Sequence, residues 1–310
     1  MFKFRIALSL LLVIITAGTI QAAGKKEDKN LPGTEKPVVA VSILPQAFFA
    51  GRISGERVDT LVLVGNGQSP HSYEPTPRQM SELASAKAWI LSNTDFEITL
   101  KPKIASIYPS LLIVDGTEGV KFRAMEEHEH EGEDAEQHDD DHDINIDRHT
   151  WLGREPAKIM AMHIKNTLIK IDPAGKTVFE ANYNKLMADI DLAFDSLKTV
   201  LAPLKGQAVF VFHPAFGYFL DEFGIIQEAV ETGGKEPTAK ALSELIRKIN
   251  EEKASVIFVQ AQFPVNAAKT VASSAGAQVV PLDPLAEDWL ANIKTMGSAL
   301  EKAAGAAGKK

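Results

Sequence analysis

The chain has 310 residues, a net charge of −8 and no cysteine. The acidic balance argues against a nucleic-acid partner, which needs a basic surface to meet phosphates. The missing cysteine excludes disulfides, thiolate metal sites, a cysteine nucleophile and lipid attachment through an N-terminal cysteine. At roughly 150 residues per domain, the length predicts two domains or lobes.

Lys3 and Arg5 precede an apolar run from Ile6 to Ile15, followed by the small residues Ala17, Gly18, Ala22 and Ala23. That order predicts a secretory signal peptide over residues 1–22. The apolar run is short of the roughly 20 residues that span a bilayer, so no stable membrane insertion is expected. An exported chain without a lipid anchor is retained only by an outer envelope, which predicts the periplasm.

Residues 23–36 are polar and predict a flexible lead. An N-terminal α/β lobe is expected over residues 37–175. Its strand-like runs are Val38–Leu44, Val58–Val64, Ala88–Leu91 and Leu111–Val114, with Gln46–Ile53, Arg78–Ala86 and Phe96–Ile107 helix-like between them. A low-complexity insert interrupts this pattern over residues 125–146. Helical periodicity resumes at Ala157 and runs to Leu168.

Residues 176–202 contain neither Pro nor Gly. Their apolar positions Phe179, Tyr183, Leu186, Ile190, Ala193, Leu197 and Val200 step by three and four, as one buried helical stripe does. At 1.5 Å per residue the helix is roughly 40 Å long, enough to join two lobes. Residues 203–310 repeat the alternation as a C-terminal α/β lobe. Its strand-like runs are Ala208–Phe212, Ile225–Val230, Ser255–Val259 and Gln278–Pro281, and its helix-like runs are Thr238–Asn250, Asn266–Ala275 and Glu287–Ala303. The tail from Ala304 is expected to fray. The expected fold class is α/β: two α/β lobes joined by one long rigid helix, with a metal site in the interlobe cleft.

Four residues carry the metal expectation. His71 lies in Pro70-His71-Ser72-Tyr73-Glu74-Pro75-Thr76-Pro77, a loop stiffened by three prolines. His213 and Asp283 each follow a C-lobe strand directly, where ligands bind in α/β sheets. His149, in Asp147-Arg148-His149-Thr150-Trp151-Leu152, lies just before a helix. A lone loop histidine is weak evidence, but three imidazoles and a carboxylate make a plausible tetrahedral Zn²⁺ set. His163 sits inside an amphipathic helix and reads as structural.

At these residues the chain resembles the solute-binding proteins of zinc and manganese ABC importers, of the zinc (ZnuA-like) type. The resemblance runs from about Val38 to the C-terminal helix. Pro70 to Pro77 matches the family's first-ligand loop, His213-Pro214-Ala215-Phe216-Gly217-Tyr218 its third-ligand segment, and Leu282-Asp283-Pro284-Leu285 the segment bearing its C-lobe carboxylate. Two places depart from the pattern. Arg148, Gly153 and Arg154 stand where the second-ligand segment usually has prolines and an aspartate. Gln260 stands where a glutamate is common. Histidine at the third position goes with zinc in this family and glutamate with manganese, so His213 favours zinc.

Glu126 to Asp143 reads EEHEHEGEDAEQHDDDHD and holds His128, His130, His138 and His142, half of the protein's eight histidines. Such a tract cannot form a core and is expected to be disordered without metal. Its composition predicts weak secondary metal binding, and zinc-type members of the family often carry such a loop. The expected function is therefore high-affinity Zn²⁺ capture in the periplasm and delivery to an ABC-type membrane permease by a monomer, without catalysis. A manganese- or iron-binding protein of the same fold is the first rival. An exported zinc hydrolase is the second, although no HExxH motif or nucleophile elbow is present. A surface adhesin is the third.

Overall fold

Short apolar runs separated by helical stretches dictate parallel pairing, because each helical crossover returns the chain to the same edge of a sheet. The computed structural model describes residues 36–125, 146–229, 239–252, 254, 256–260, 262 and 265–307. The expected signal peptide, most of the lead and all four histidines of the acidic insert lie outside them. The first lobe runs β1 (Val38–Ile43), α1 (Leu44–Ser54), β2 (Asp59–Val64), α2 (Pro77–Ser85), β3 (Ala88–Leu91), α3 (Asp95–Ile107), β4 (Leu112–Asp115) and α4 (Arg154–Ile171). The long helix α5 (Lys176–Leu201) follows. The second lobe runs β5 (Ala208–Val211), α6 (Gly217–Asp221), β6 (Ile226–Ala229), α7 (Ala239–Glu251), β7 (Val256–Gln260), α8 (Val265–Ala275), β8 (Gln278–Leu282) and α9 (Trp289–Ala307).

Each lobe has a four-stranded, all-parallel sheet, ordered β2-β1-β3-β4 and β6-β5-β7-β8. The chain leaves the central strand in opposite directions, so each sheet has a switch point, β1/β3 and β5/β7, where binding crevices form. Gln46 braces the first of these. Its Oε1 accepts from the Ser42 amide (2.8 Å) and its Nε2 donates to the Leu91 carbonyl (3.0 Å). The two-sided burial of β1 and β3 explains why, Ser42 apart, their residues are all apolar, which alternation-seeking rules would misread.

Helix α5 departs in detail from its sequence stripe. Phe179, Leu186, Ile190, Ala193 and Leu197 are buried, but Tyr183 is only half-buried and Val200 is 37% exposed. Phe194 and Leu201 complete the buried face instead. Steps of three and four average 3.5 residues, so a stripe extrapolated over 26 residues drifts off the true 3.6-residue face. Helix α5 packs on α1 and α4 of the first lobe and on α9 of the second. At the α9 crossing Gly297 permits the close approach, since a Cβ there would lie 2.4 Å from a Leu197 methyl. Helix α9 also continues to Ala307, past the point where the tail was expected to fray.

One hydrophobic core runs through both lobes and the helix between them. Two indoles lock that continuity. Trp151 donates from Nε1 to the Pro284 carbonyl, and Trp289 donates to the Trp151 carbonyl, both at 2.7 Å and buried. The Trp289 ring packs edge-on against Phe49 of α1, with centroids 5.0 Å apart. Arg154 adds polar ties, to Asp191 and Asp195 of α5 and to Glu222 just after α6. A shared core does not hinge freely, so motion between the lobes is restricted to small adjustments. Among the described residues no helix is long and apolar enough to cross a membrane.

Candidate metal centre

The loop after β2 reaches the cleft because its end is pinned. Thr76 caps α2 through a reciprocal pair with Gln79, Pro77 begins the helix, and Gln79 Nε2 donates to the Leu63 carbonyl at 2.8 Å. Tyr73 is buried edge-on against Phe96, 4.9 Å between centroids. His71 is thereby projected over the carboxyl edge of the sheet. His213 arrives two residues after β5, and His149 arrives on the single helical turn Thr150–Leu152 that precedes α4.

The three imidazoles meet at Nε2. His71 Nε2 lies 3.1 Å from His213 Nε2, and His213 Nε2 lies 3.2 Å from His149 Nε2. Among the described residues these three form the group able to hold a metal ion, with ligand atoms all within 4.8 Å of one another. A tetrahedral zinc ion with Zn–N bonds of 2.0–2.1 Å sets its nitrogens roughly 3.3 Å apart, close to the two spacings that His213 makes. His149 and His213 are each 4% exposed, whereas about a third of the His71 side chain is open.

Carboxylates orient two of the three rings. Asp95, the first residue of α3, accepts from His71 Nδ1 at 2.5 Å, and Asp147 accepts from His149 Nδ1 at 2.8 Å. A proton held on Nδ1 leaves the Nε2 lone pair facing the cleft, which is the tautomer a metal needs. The His71 hydrogen bond, reinforced by the Arg148 guanidinium, holds the Asp95 carboxyl below the usual carboxylate range. Burial opposes ionisation of Asp147, but hydrogen bonds from His149 and Arg123 outweigh it and hold that carboxyl low as well. Glu97, fully buried and pushed up by that burial, accepts from Ser92 and Thr94 and shapes the turn that presents Asp95.

The support of His149 is the deeper one. Arg123 Nη1 reaches Asp147 Oδ2 at 2.9 Å, and the Asp147 side chain is fully buried. Arg123 also pairs with Asp221 of α6 and passes over Gly217, where a Cβ would lie 1.9 Å from its Nη1. Tyr218 donates its hydroxyl to the Asp147 carbonyl at 2.8 Å. The ends of the acidic insert are clipped together beside this network, by an Ala124–Ile146 bridge and an Asp147 amide bond to the Arg123 carbonyl.

His213 is held through its backbone. Gln260 Oε1 accepts from the His213 amide at 3.2 Å, while Gln260 Nε2 donates to the His213 carbonyl at 2.5 Å. A carboxylate there could accept but not donate, so the glutamine makes a two-way clamp that a glutamate cannot.

Asp283 is not in the cluster. Its Oδ1 accepts from Gln262 Nε2 (2.8 Å) and from the Leu285 amide (2.9 Å), and Asn292 holds its carbonyl. Its place after β8 is the one expected, but these donors engage its carboxylate outside the imidazole group. Glu74 is exposed and also outside it. His163 bonds the Glu118 carbonyl from α4. Asp95 and Arg123 carry no local sequence signal for these roles; Asp147, two residues before His149, does. A cavity of about 20 Å³ remains among His71, His149, His213, Trp151, Gln262 and Leu285, room for about one water-sized occupant. A cavity of about 580 Å³ between β8 and α9 carries none of the candidate ligands.

The family model for the periplasmic component A of the zinc-uptake complex, ZnuA, matches residues 39–303. The chain belongs to the ZnuA family. This ZnuA-family chain is 29% identical over 262 residues to the high-affinity zinc uptake system protein ZnuA of Yersinia pestis, covering 80% of this chain and 82% of that one. It superposes on a crystal structure of ZnuA with a TM-score of 0.78 at 30% identity, covering 87% of this chain and 99% of the other. A zinc-bound ZnuA lacking residues 138–173 of its own numbering gives 0.77 at 30% identity, covering 87% and 98%. The fold, two parallel-sheet lobes with a long helix, is that of these solute-binding proteins, which are not enzymes.

The geometry also supplies an optical reporter. Trp151 is one of three tryptophans, and its ring centroid lies 5.4 Å from that of His149. Ion binding is expected to change tryptophan emission. The change should vanish in Trp151→Phe and persist in Trp89→Phe, whose indole is buried in the first lobe. Titration of the three proteins checks it.

Proposed function

We propose that the chain captures Zn²⁺ in the periplasm through His71, His149 and His213 and delivers it to the membrane permease of an ABC importer. The observation that carries this is the convergence of three Nε2 atoms with two of the rings fixed by Nδ1 partners. Neutral imidazoles suit zinc, whereas a hard ion such as Mn²⁺ favours carboxylate and water. Asp95 and Asp147 are each paired with an arginine, so the immediate surroundings offer little net negative charge to a hard cation. The relatives support the same reading, since the Yersinia pestis protein is named for zinc uptake and a ZnuA structure contains zinc.

The small cavity favours a bare ion over a chelate. The ligands must be deprotonated to bind, so affinity falls on acidification. Residues 1–22 serve as the export signal, and residues 37–175 and 203–310 serve as the two lobes joined by the helix at 176–202. His128, His130, His138 and His142 form a weaker gathering site on the insert. The protein acts as a monomer.

Competition calorimetry with Zn²⁺ and Mn²⁺ tests the proposal. Zinc is expected to displace manganese, and tighter Mn²⁺ binding would reverse the metal assignment.

A further inference from the structure

Gln262 lines the same small cavity as the three histidines, and nothing above assigns it a role. It follows β7, as Asp283 follows β8, and these adjacent parallel strands pair Gln260 with Leu282. Its amide orientation is fixed by chemistry, because only the NH₂ group can bond the Asp283 carboxylate. The other end of the carboxamide, Oε1, is then left buried with no hydrogen-bond partner among the described residues. Buried acceptors are rarely left so, and an orphaned one points to a ligand or water that completes it.

We propose that Gln262 sets the fourth coordination position of the bound ion. Its Nε2 keeps Asp283 away from the cleft, while its Oε1 accepts a hydrogen bond from a water carried on the metal. The ion is then held by three imidazoles and one water, with Asp283 in reserve behind the carboxamide. A neutral water leaves more readily than a carboxylate bound to a dication, so the arrangement favours release. The Leu285 amide and Asn292 anchor Asp283 independently of Gln262, so loss of the carboxamide frees the side chain of one partner without unfastening its backbone. Gln262 is a positioning residue here, acting through water and through Asp283. The inference rests on the three-histidine reading of the metal site.

The test uses the full chain loaded with Co²⁺, whose visible spectrum reports coordination, beside Zn²⁺ release measured with a chromophoric chelator. In the wild-type background, Asp283→Asn is expected to leave the Co²⁺ spectrum as it was, because Asp283 is not a ligand. In Gln262→Leu, the Asp283 carboxylate is expected to enter the sphere, changing the spectrum and slowing Zn²⁺ release about tenfold. Adding Asp283→Asn to Gln262→Leu should abolish both changes, which a general packing defect would not do. A spectrum altered by Asp283→Asn alone overturns the proposal, as does a Gln262→Leu protein that binds zinc with wild-type spectrum and release. Failure of the wild-type protein to bind zinc would instead overturn the three-histidine reading.

Discussion

Alanine at position 213 is expected to lower Zn²⁺ affinity by about 1,000-fold or more and leave the fold in place. The loss should exceed the roughly 10–100-fold that follows removal of an outer partner of a metal ligand, because His213 is the meeting point of the set. Its Nε2 lies 3.1 Å from one neighbour's Nε2 and 3.2 Å from the other's. Without it, two nitrogens on separate segments of the first lobe remain, and the second-lobe imidazole that lies beside both is gone. The backbone should hold, since Gln260 clamps the amide and carbonyl of residue 213 rather than its ring. Circular dichroism should therefore match the wild type while calorimetry shows the loss. His213→Glu makes the opposite chemical point. A carboxylate in that place hardens the site, and preference is expected to move from Zn²⁺ towards Mn²⁺. Unchanged zinc affinity in His213→Ala would remove the central ligand from the proposal.

Why the three histidines were legible and their supports were not follows from how each is specified. His71 and His213 are flanked by local chemistry that shows in the sequence, prolines in the one case and an apolar strand ending in His-Pro in the other. Asp95 and Arg123 act across 24 residues, on His71 and Asp147 respectively. No periodicity or turn rule connects positions that far apart; only the packing of α3 and of the insert's base beside the cleft does so. Arg148 shows the same limit. Beside His149 it looks like a departure from the family pattern, yet its guanidinium reaches Asn93 and Asp95 and so braces the other imidazole, His71. Gln260, which stands where a glutamate is common, is a bidirectional clamp on His213. Asp283 was placed at the correct strand end, but its partners come from the β7–β8 register and the start of α9, which local sequence does not encode.

Removing the Asp147 carboxylate is expected to damage stability and metal binding together, unlike loss of His213. The side chain is fully buried and joins Arg123 to His149. Asp147→Ala leaves the Arg123 guanidinium, itself largely enclosed, short of its buried partner, a change that costs about 3–5 kcal/mol in comparable buried pairs. It also frees His149 to rotate and to take the other tautomer, which should weaken zinc binding roughly 10–100-fold. Asp147→Asn separates the effects. The amide oxygen can still accept from the His149 backbone and Nδ1, so zinc affinity should suffer less, while the lost charge opposite Arg123 still lowers stability. The pH dependence has a fixed sign. The Asp147 carboxyl titrates lower in the folded chain than in the unfolded one, so its stabilisation is fully present above the ordinary carboxyl value of about 3.9. It fades as pH falls through the depressed folded value, and the stability gap between wild type and Asp147→Asn should close in that acidic window. Urea unfolding at neutral and acidic pH measures the gap, and a gap that widens on acidification would contradict the depressed titration.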